Sequence, residues 1–104
     1  MKKTLKILLV SLALAASVSA ADHVVNQKGK TFLPAKMTVS VGDTITFKNS
    51  DPFAHNAYTD NEANEFDVGM QPTGKVTTMT VKAKESFNIE CAIHPNMLIE
   101  VEVK

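Results

Sequence analysis

From Met37 onward, apolar residues alternate with threonine and charged residues, which is the pattern of β-strands with one buried face. The pattern recurs in segments 37–41, 44–48, 78–82, 87–91 and 99–104. No segment has helical periodicity over three turns. Short strands rich in threonine and valine, separated by turn residues, predict an all-β fold. We expect a Greek-key β-sandwich of about seven or eight strands.

Two features of the strand order can also be predicted. Gly42 and Asp43 separate two alternating segments and are typical turn residues, which predicts a hairpin between them. Residues 51–73 lack clean alternation and are rich in Asn, Asp, Pro and Gly. We therefore expect loops there, with at most a short strand around residues 56–59.

The first twenty residues have the pattern of a secretory signal peptide, with a basic start, a short apolar stretch and a small-residue end. We expect cleavage after Ala20, with Ala21 as the second choice, and a single mature domain at 21–104. The apolar stretch is shorter than a bilayer-spanning helix requires. This pattern predicts export, to the periplasm, and no membrane span after cleavage.

The charge of the mature chain argues against one class of partner. The full chain has eleven lysines, no arginine and eleven acidic residues, and the lysines at positions 2, 3 and 6 would leave with the signal peptide. Eight lysines would then face eleven acids, a net charge of −3. Because phosphate binding needs clustered positive charge, we expect no nucleic-acid partner.

Cys91 is the one cysteine of the chain, so an intrachain disulfide is impossible. On composition alone it could be an inert buried thiol, half of an intermolecular disulfide or a metal ligand. Its surroundings favour the third interpretation. His94 and Met97 follow at spacings of three, in a loop between two predicted strands, so a thiolate, an imidazole and a thioether can face one point.

A fourth ligand has to come from another loop. His55 follows the predicted strand that ends near Lys48, and in a sandwich its loop could lie at the same end as the Cys91 loop. Two histidines and one cysteine with a weak axial methionine form the blue-copper arrangement. Zinc is the main rival, but structural zinc rarely accepts a thioether and catalytic zinc needs an open water position.

The chain resembles the plastocyanin and amicyanin branch of the cupredoxins. The resemblance rests on Phe32-Leu33-Pro34, the stretch from Met37 to Asp51, His55-Asn56 and the Cys91 loop, whose short spacing is similar to that of amicyanin. One departure is Ile99, where the family usually has glycine. The resemblance implies one type 1 copper, with His55, Cys91 and His94 as strong ligands and Met97 as the weak axial ligand.

The resemblance also implies supporting residues and a function. The amide of Asn56 would donate to the Cys91 sulfur, and Asn49 would help to hold the ligand loops. We expect a monomeric, non-enzymatic carrier of single electrons between periplasmic redox proteins. A cytochrome c or an amine dehydrogenase is a candidate partner, docking near His94. Copper storage or delivery, with exchangeable metal, is the alternative, and a purely structural domain would leave the four ligands unexplained.

Two surfaces could contribute to docking. An apolar patch around His94 is expected, and its candidate residues are Pro52, Phe53, Met70, Pro72 and Pro95. Four acids lie within eight residues and form either a solvated loop or a patch that steers a basic partner; they are Asp60, Glu62, Glu65 and Asp67.

His23 raises a separate hypothesis. With cleavage after Ala20, the mature chain would start Ala21-Asp22-His23, and a free amine with histidine in third place can chelate Cu(II). The alternative is an ordinary frayed terminus. An oxidase or a nitrite reductase would need further histidines for other copper centres, and only His23 is left for them.

Overall fold

The computed structural model describes residues 19–104, which form two β-sheets and one short 3₁₀ turn at Glu62–Asn64. In chain order the strands are β1 (Asp22–Lys28), β2 (Thr31–Leu33), β3 (Lys36–Val39), β4 (Thr44–Asn49), β5 (Tyr58–Thr59), β6 (Phe66–Asp67), β7 (Val76–Thr80), β8 (Phe87–Glu90) and β9 (Leu98–Val103). The strand order is β2-β1-β4-β7 in the first sheet and β3-β9-β8-β5-β6 in the second.

The predicted all-β Greek-key sandwich is confirmed. Residues 19–104 contain nine strands rather than seven or eight, because β2, β5 and β6 are only two or three residues long and show no alternation in the sequence. The short strand expected near residues 56–59 is β5. Most of the predicted signal peptide, residues 1–18, lies outside the described part of the chain. Within the described part, no helix has the length and hydrophobicity needed to cross a bilayer.

The predicted hairpin at Gly42-Asp43 is wrong. β3 pairs in parallel with β9 in one sheet, whereas β4 pairs with β1 and β7 in the other. The turn therefore carries the chain across the sandwich. The backbone of this turn is hydrogen-bonded to Val81. The Gly42 amide donates to the Val81 carbonyl, and the Val81 amide donates to the Asp43 carbonyl, both at 2.9 Å. Alternation with period two shows which face of a strand is buried but does not identify the strand's partner.

The two sheets share one apolar core. Phe47 is fully buried, with its ring edge-on to Phe32 at 6.4 Å between centroids and stacked on Phe66 at 6.0 Å. Burying a side chain of this size contributes about 1.5–3 kcal/mol. Ile99, at the position where the resembling family has glycine, is also fully buried and lies opposite Ile89 across the β8–β9 pair. The isoleucine is thus part of the core.

The strand order brings four connections to one end of the sandwich. These are the β1–β2 turn, the loop after β4, the β6–β7 loop and the loop between β8 and β9. β1 and β4 run in parallel with Gln27 beside Asn49, so the β1–β2 turn lies next to the start of the loop that contains His55. Cys91 follows directly after β8. The 81–86 connection, which enters β8, lies at the other end of this strand.

Asp43 organises that other end. Its carboxylate accepts from the Ala21 amide at 3.0 Å, the Ser40 amide at 2.9 Å and the His23 ring at 2.9 Å. Asp22 and His23 belong to β1 and pair with Thr44 and Ile45. A copper chelate at the terminus would have to break these contacts, so the structure gives His23 a structural role here.

The Asp43 contacts predict a pH-dependent stability. Hydrogen bonds from the Ala21 amide, the His23 ring and the Ser40 amide lower the pKa of Asp43 from 3.8 to about 2. Because the folded-state pKa is the lower one, the stabilisation is complete above pH 4 and disappears as the pH falls through about 2. Asp43→Asn should therefore reduce the free energy of unfolding of the metal-free protein at pH 7, and the reduction should shrink between pH 4 and pH 2.

Urea unfolding across this pH range would measure the effect, with Asp60→Asn as the control for loss of one carboxylate. A deficit in Asp43→Asn that stays constant down to pH 2 would contradict the assignment.

Candidate metal centre

Two loops at one end of the sandwich bring together two imidazoles and a thiol. One potential ligand atom from each of His55, Cys91 and His94 lies within 4.8 Å of the other two. His55 and Cys91 are buried, and His94 is partly exposed. Three of the four sequence-predicted ligands thus converge, although 36 residues separate the two loops.

The backbone of His55 is fixed by a bridge to Gln71 in the β6–β7 loop. The His55 amide donates to the Gln71 carbonyl at 3.1 Å, and the Gln71 amide donates back at 2.8 Å. The Gln71 side chain is itself buried and donates to the carbonyls of Phe47 and Lys75, each at 2.7 Å. The position of His55 therefore depends on the rigid end of β4 as well as on its own loop.

The ring of His55 is oriented by a buried carboxylate. Its Nε2 lies 2.7 Å from Oδ2 of Asp51, and its Nδ1 lies 3.1 Å from Nδ1 of His94. Burial raises the pKa of Asp51, but hydrogen bonds from His55 and from the amides of Lys30 and Gly29 outweigh it and hold the pKa below its usual value. The ionised carboxylate accepts a hydrogen bond from the Nε2–H group, which leaves Nδ1 unprotonated and able to bind a metal.

Asn49 ties the start of the loop to its end. Its side-chain oxygen accepts from the Asp51 amide at 2.9 Å, and its side-chain nitrogen donates to the carbonyls of Phe53 and Gln71, each at 2.8 Å. These three bonds close the 49–53 segment onto the β6–β7 loop. The structure thus places Asn49 among the contacts that hold the His55 loop.

Asn56 joins the two ligand loops. Its amide lies 3.5 Å from the Cys91 sulfur, and its side-chain oxygen accepts from the Ala92 amide at 2.8 Å. Its side-chain nitrogen donates to Asp67 at 3.3 Å. A donor that faces the sulfur orients it as a metal ligand.

His94 and Met97 belong to a tight turn. The Met97 amide donates to the His94 carbonyl at 2.9 Å, and the Met97 side chain is only 1% exposed. Partial burial lowers the pKa of His94, and the charge of Lys30 acts in the same direction. The ring is therefore neutral near pH 7 and able to act as a ligand.

The exposed side of the centre is largely apolar. The Phe53 ring lies 5.4 Å from the His55 ring and 5.5 Å from the His94 ring, measured between centroids, and is 38% exposed. The other predicted patch residues are also exposed; they are Pro52, Met70, Pro72 and Pro95. Ile93 and Leu98, near the Cys91 loop, are exposed as well and were not predicted.

The four acids considered for docking do not all lie at the same end of the sandwich. Asp67 accepts from Asn56 and so lies at the ligand loops. Glu62 begins the 3₁₀ turn and Glu65 follows it. In this turn the Asn64 side chain accepts from the amides of Lys82 and Ala83, each at 2.9 Å, in the 81–86 connection. This part of the chain is thus attached to the far end of β8, away from Cys91.

Sequence reasoning missed Asp51, Gln71 and Lys30. A signal was available for Asp51. This acidic residue lies four positions before His55 in the loop after a strand, and that spacing allows a carboxylate to orient the histidine ring. Gln71 and Lys30 contact loops that are distant in sequence, so the residues around them carry no pattern from which these contacts could be predicted.

The donor set fits copper. Two imidazole nitrogens and one thiol sulfur converge, with His55 and Cys91 buried. The ring of His55 is oriented by a carboxylate, and a thioether lies in the same loop as two of the donors. Soft sulfur together with imidazole selects copper over the hard cations.

Comparison with known proteins agrees with this chemistry. A profile of the copper-binding proteins of the plastocyanin/azurin family matches residues 19–104. A search of curated protein sequences finds no match.

Solved structures with the same fold include a variant of amicyanin in the Cu(I) state, at 23% identity and a TM-score of 0.73, covering 86% of this chain and 89% of amicyanin. A purple cupredoxin from Nitrosopumilus maritimus matches at 19% identity and a TM-score of 0.69, covering 80% of this chain and 100% of that one. A copper-containing nitrite reductase from Thermus scotoductus matches at 22% identity and a TM-score of 0.74, covering 84% of this chain but 23% of the reductase. The fold, the donor set and the family profile agree, and the chain belongs to the plastocyanin/azurin family of copper-binding proteins.

Proposed function

We propose that this protein carries single electrons and binds one type 1 copper ion through His55, Cys91 and His94, with Met97 as a weak axial ligand. The observation that supports this proposal most is the convergence of the two imidazoles and the thiol, with ligand atoms within 4.8 Å of one another. Copper, when bound, supplies a one-electron couple between Cu(II) and Cu(I).

The contribution of the chain is to hold the ligands still. Asp51 fixes the ring of His55, Asn56 fixes the loop of Cys91, and the turn from His94 to Met97 is closed by a backbone hydrogen bond. Ligands held by such contacts do not need to rearrange when the charge of the site changes. A carrier with little rearrangement exchanges electrons quickly, so this rigidity supports a carrier function.

His94 is the expected route for the electron. Its ring is the partly exposed one of the three, and Phe53 covers its side, whereas His55 and Cys91 are enclosed. Phe53, Pro95 and the other exposed apolar side chains around the centre form an apolar rim. A partner that docks on this rim would approach the centre through the His94 ring while water is excluded from the other ligands. The exposed apolar side chains around the centre support docking at this surface.

The cellular setting is part of the proposal. Residues 1–20 act as a signal peptide, the domain at 21–104 functions in the periplasm as a monomer, and its donor and acceptor are redox proteins. A cytochrome c or an amine dehydrogenase is a candidate, the latter because the spacing of the Cys91 loop resembles that of amicyanin.

Copper delivery is the second function that the same ligands could perform, but it requires metal that exchanges readily. The buried His55 and Cys91, each fixed by hydrogen bonds, favour retention over exchange. An enzyme is less well supported. The similar nitrite reductase is much longer than this chain, and His23, the remaining histidine, contacts Asp43 at the far end of the sandwich.

A retention experiment separates the carrier from the delivery protein. The copper-loaded protein is cycled between its oxidised and reduced states in the presence of a strong Cu(I) chelator, and the bound copper is measured after each cycle. A carrier should show a reversible one-electron wave and lose little metal over many cycles. Transfer of most of the copper to the chelator within the first reductions would contradict the proposal and favour delivery.

The buried carboxylate predicts a shift of the reduction potential. Asp51→Asn removes a negative charge that is hydrogen-bonded to a proposed ligand, so Cu(I) is favoured and the potential should rise by on the order of 50 mV. Cu(II) affinity should fall by about 10–100-fold. Voltammetry and a competition titration would measure both quantities.

The matched control is Glu62→Gln, which removes one exposed carboxylate from the segment attached to the far end of the sandwich. An equal shift in the two variants would mean that Asp51 acts only through net charge and does not orient His55.

A further inference from the structure

The β1–β2 turn has an unusual residue at its tip. Gly29 and Lys30 join the two strands as a two-residue hairpin and have φ angles of 64° and 58°. Turns of this kind need positive φ at both central positions and favour Asn or Gly there. Lysine at the second position is strained, because its Cβ crowds the backbone in this region. The needs of the turn therefore do not explain the lysine.

The turn is held in place by the metal centre. The Asp51 carboxylate accepts from the Gly29 amide at 2.7 Å and from the Lys30 amide at 3.0 Å. The side chain of Asn96, in the Cys91 loop, donates to the Lys30 carbonyl at 3.3 Å. Both ligand loops thus hold the backbone of Lys30 in its strained conformation.

The side chain of Lys30 reaches the exposed side of the centre. Its ammonium lies 5.6 Å from the centroid of the Phe53 ring, within the range of a cation–π contact. The same ring lies 5.4 Å from the ring of His55 and 5.5 Å from the ring of His94. The cation is therefore placed beside the ring through which the electron is proposed to pass.

The charge of Lys30 is not neutralised by a salt bridge in the part of the chain that the structure describes. The nearby carboxylate of Asp51 is buried and is occupied by His55 and by two amides. An exposed cation thus lies on the apolar rim of a domain whose predicted net charge is negative. A partner that covers the rim would gain by placing a carboxylate against this cation.

We propose that Lys30 is a specificity-determining residue, and that the redox partner presents carboxylates beside its own redox group. This inference rests on the proposed electron-carrier function. It differs from the hypothesis of a basic partner, and two of the four acids behind that hypothesis, Glu62 and Glu65, lie in the segment attached to the far end of the sandwich. The hydrogen bonds to both ligand loops hold the turn in its strained conformation, which places the cation beside the Phe53 ring that contacts His94.

The test uses small oxidants of opposite charge. The reduced, copper-loaded protein is oxidised by anionic hexacyanoferrate(III) and, separately, by cationic tris(phenanthroline)cobalt(III). In Lys30→Gln the reaction with the anion should slow by about two- to threefold at low ionic strength, and the reaction with the cation should accelerate by a similar factor. Both differences should disappear in about 1 M salt, where charges are screened over a few ångströms.

Lys84→Gln is the matched control, because it removes one exposed lysine from the connection at the far end of the sandwich. Equal effects in Lys30→Gln and Lys84→Gln, or no effect in Lys30→Gln, would overturn the inference while leaving the carrier function in place. Failure of both oxidants to react with the unmodified protein would instead contradict the carrier function.

Binding provides a readout that is independent of electron transfer. A hexaglutamate peptide titrated into the diamagnetic Cu(I) protein should shift the NMR signals of Lys30, Phe53 and His94, and these shifts should be lost in Lys30→Gln. Shifts that persist in this variant, or that centre on Lys84, would show that acidic partners are recognised elsewhere.

Discussion

The carboxylate of Asp51 connects the fold to the metal centre. It is buried, it orients the ring of His55, and it accepts the two amides of the β1–β2 turn, so one side chain ties a ligand to the neighbouring strands. A buried carboxylate without partners would be costly, and three donors make it tolerable here. Because Asn49 in turn holds the backbone of Asp51, the whole arrangement starts from the last residue of β4. Loss of this group would loosen the turn and His55 together.

The sandwich turns this local contact into a rigid site. β4 lies between β1 and β7 in one sheet, and β8 lies between β9 and β5 in the other, so each ligand loop leaves from an inner strand. Phe47 in β4 and Ile89 in β8 are fully buried in the shared core, which fixes the distance between the two loops. Asn56 then closes the gap between the loops themselves. The core and these hydrogen bonds thus fix the positions of both ligand loops, which suits a protein whose proposed function requires a site that changes little with its charge.

The sequence was informative where the signal was local. Alternation in β4, β8 and β9 revealed strands with one buried face, and the short spacing from Cys91 to Met97 revealed three donors in one loop. Pairing was not predictable, because alternation in β3 and β4 is the same whether they form a hairpin or belong to different sheets. Asp51, Gln71 and Lys30 were missed for a related reason. Their importance comes from contacts with loops that are distant in sequence, and only the fold brings these loops together.

The most direct test of the central claim is the visible and EPR spectrum of the protein loaded with Cu(II), recorded before and after Cys91→Ser. If His55, Cys91 and His94 bind the metal together, the unmodified protein will have an intense thiolate-to-copper absorption band and a narrow copper hyperfine splitting, and the variant will lose both. A pale spectrum that the substitution leaves unchanged would place the copper elsewhere in the molecule and would contradict the account.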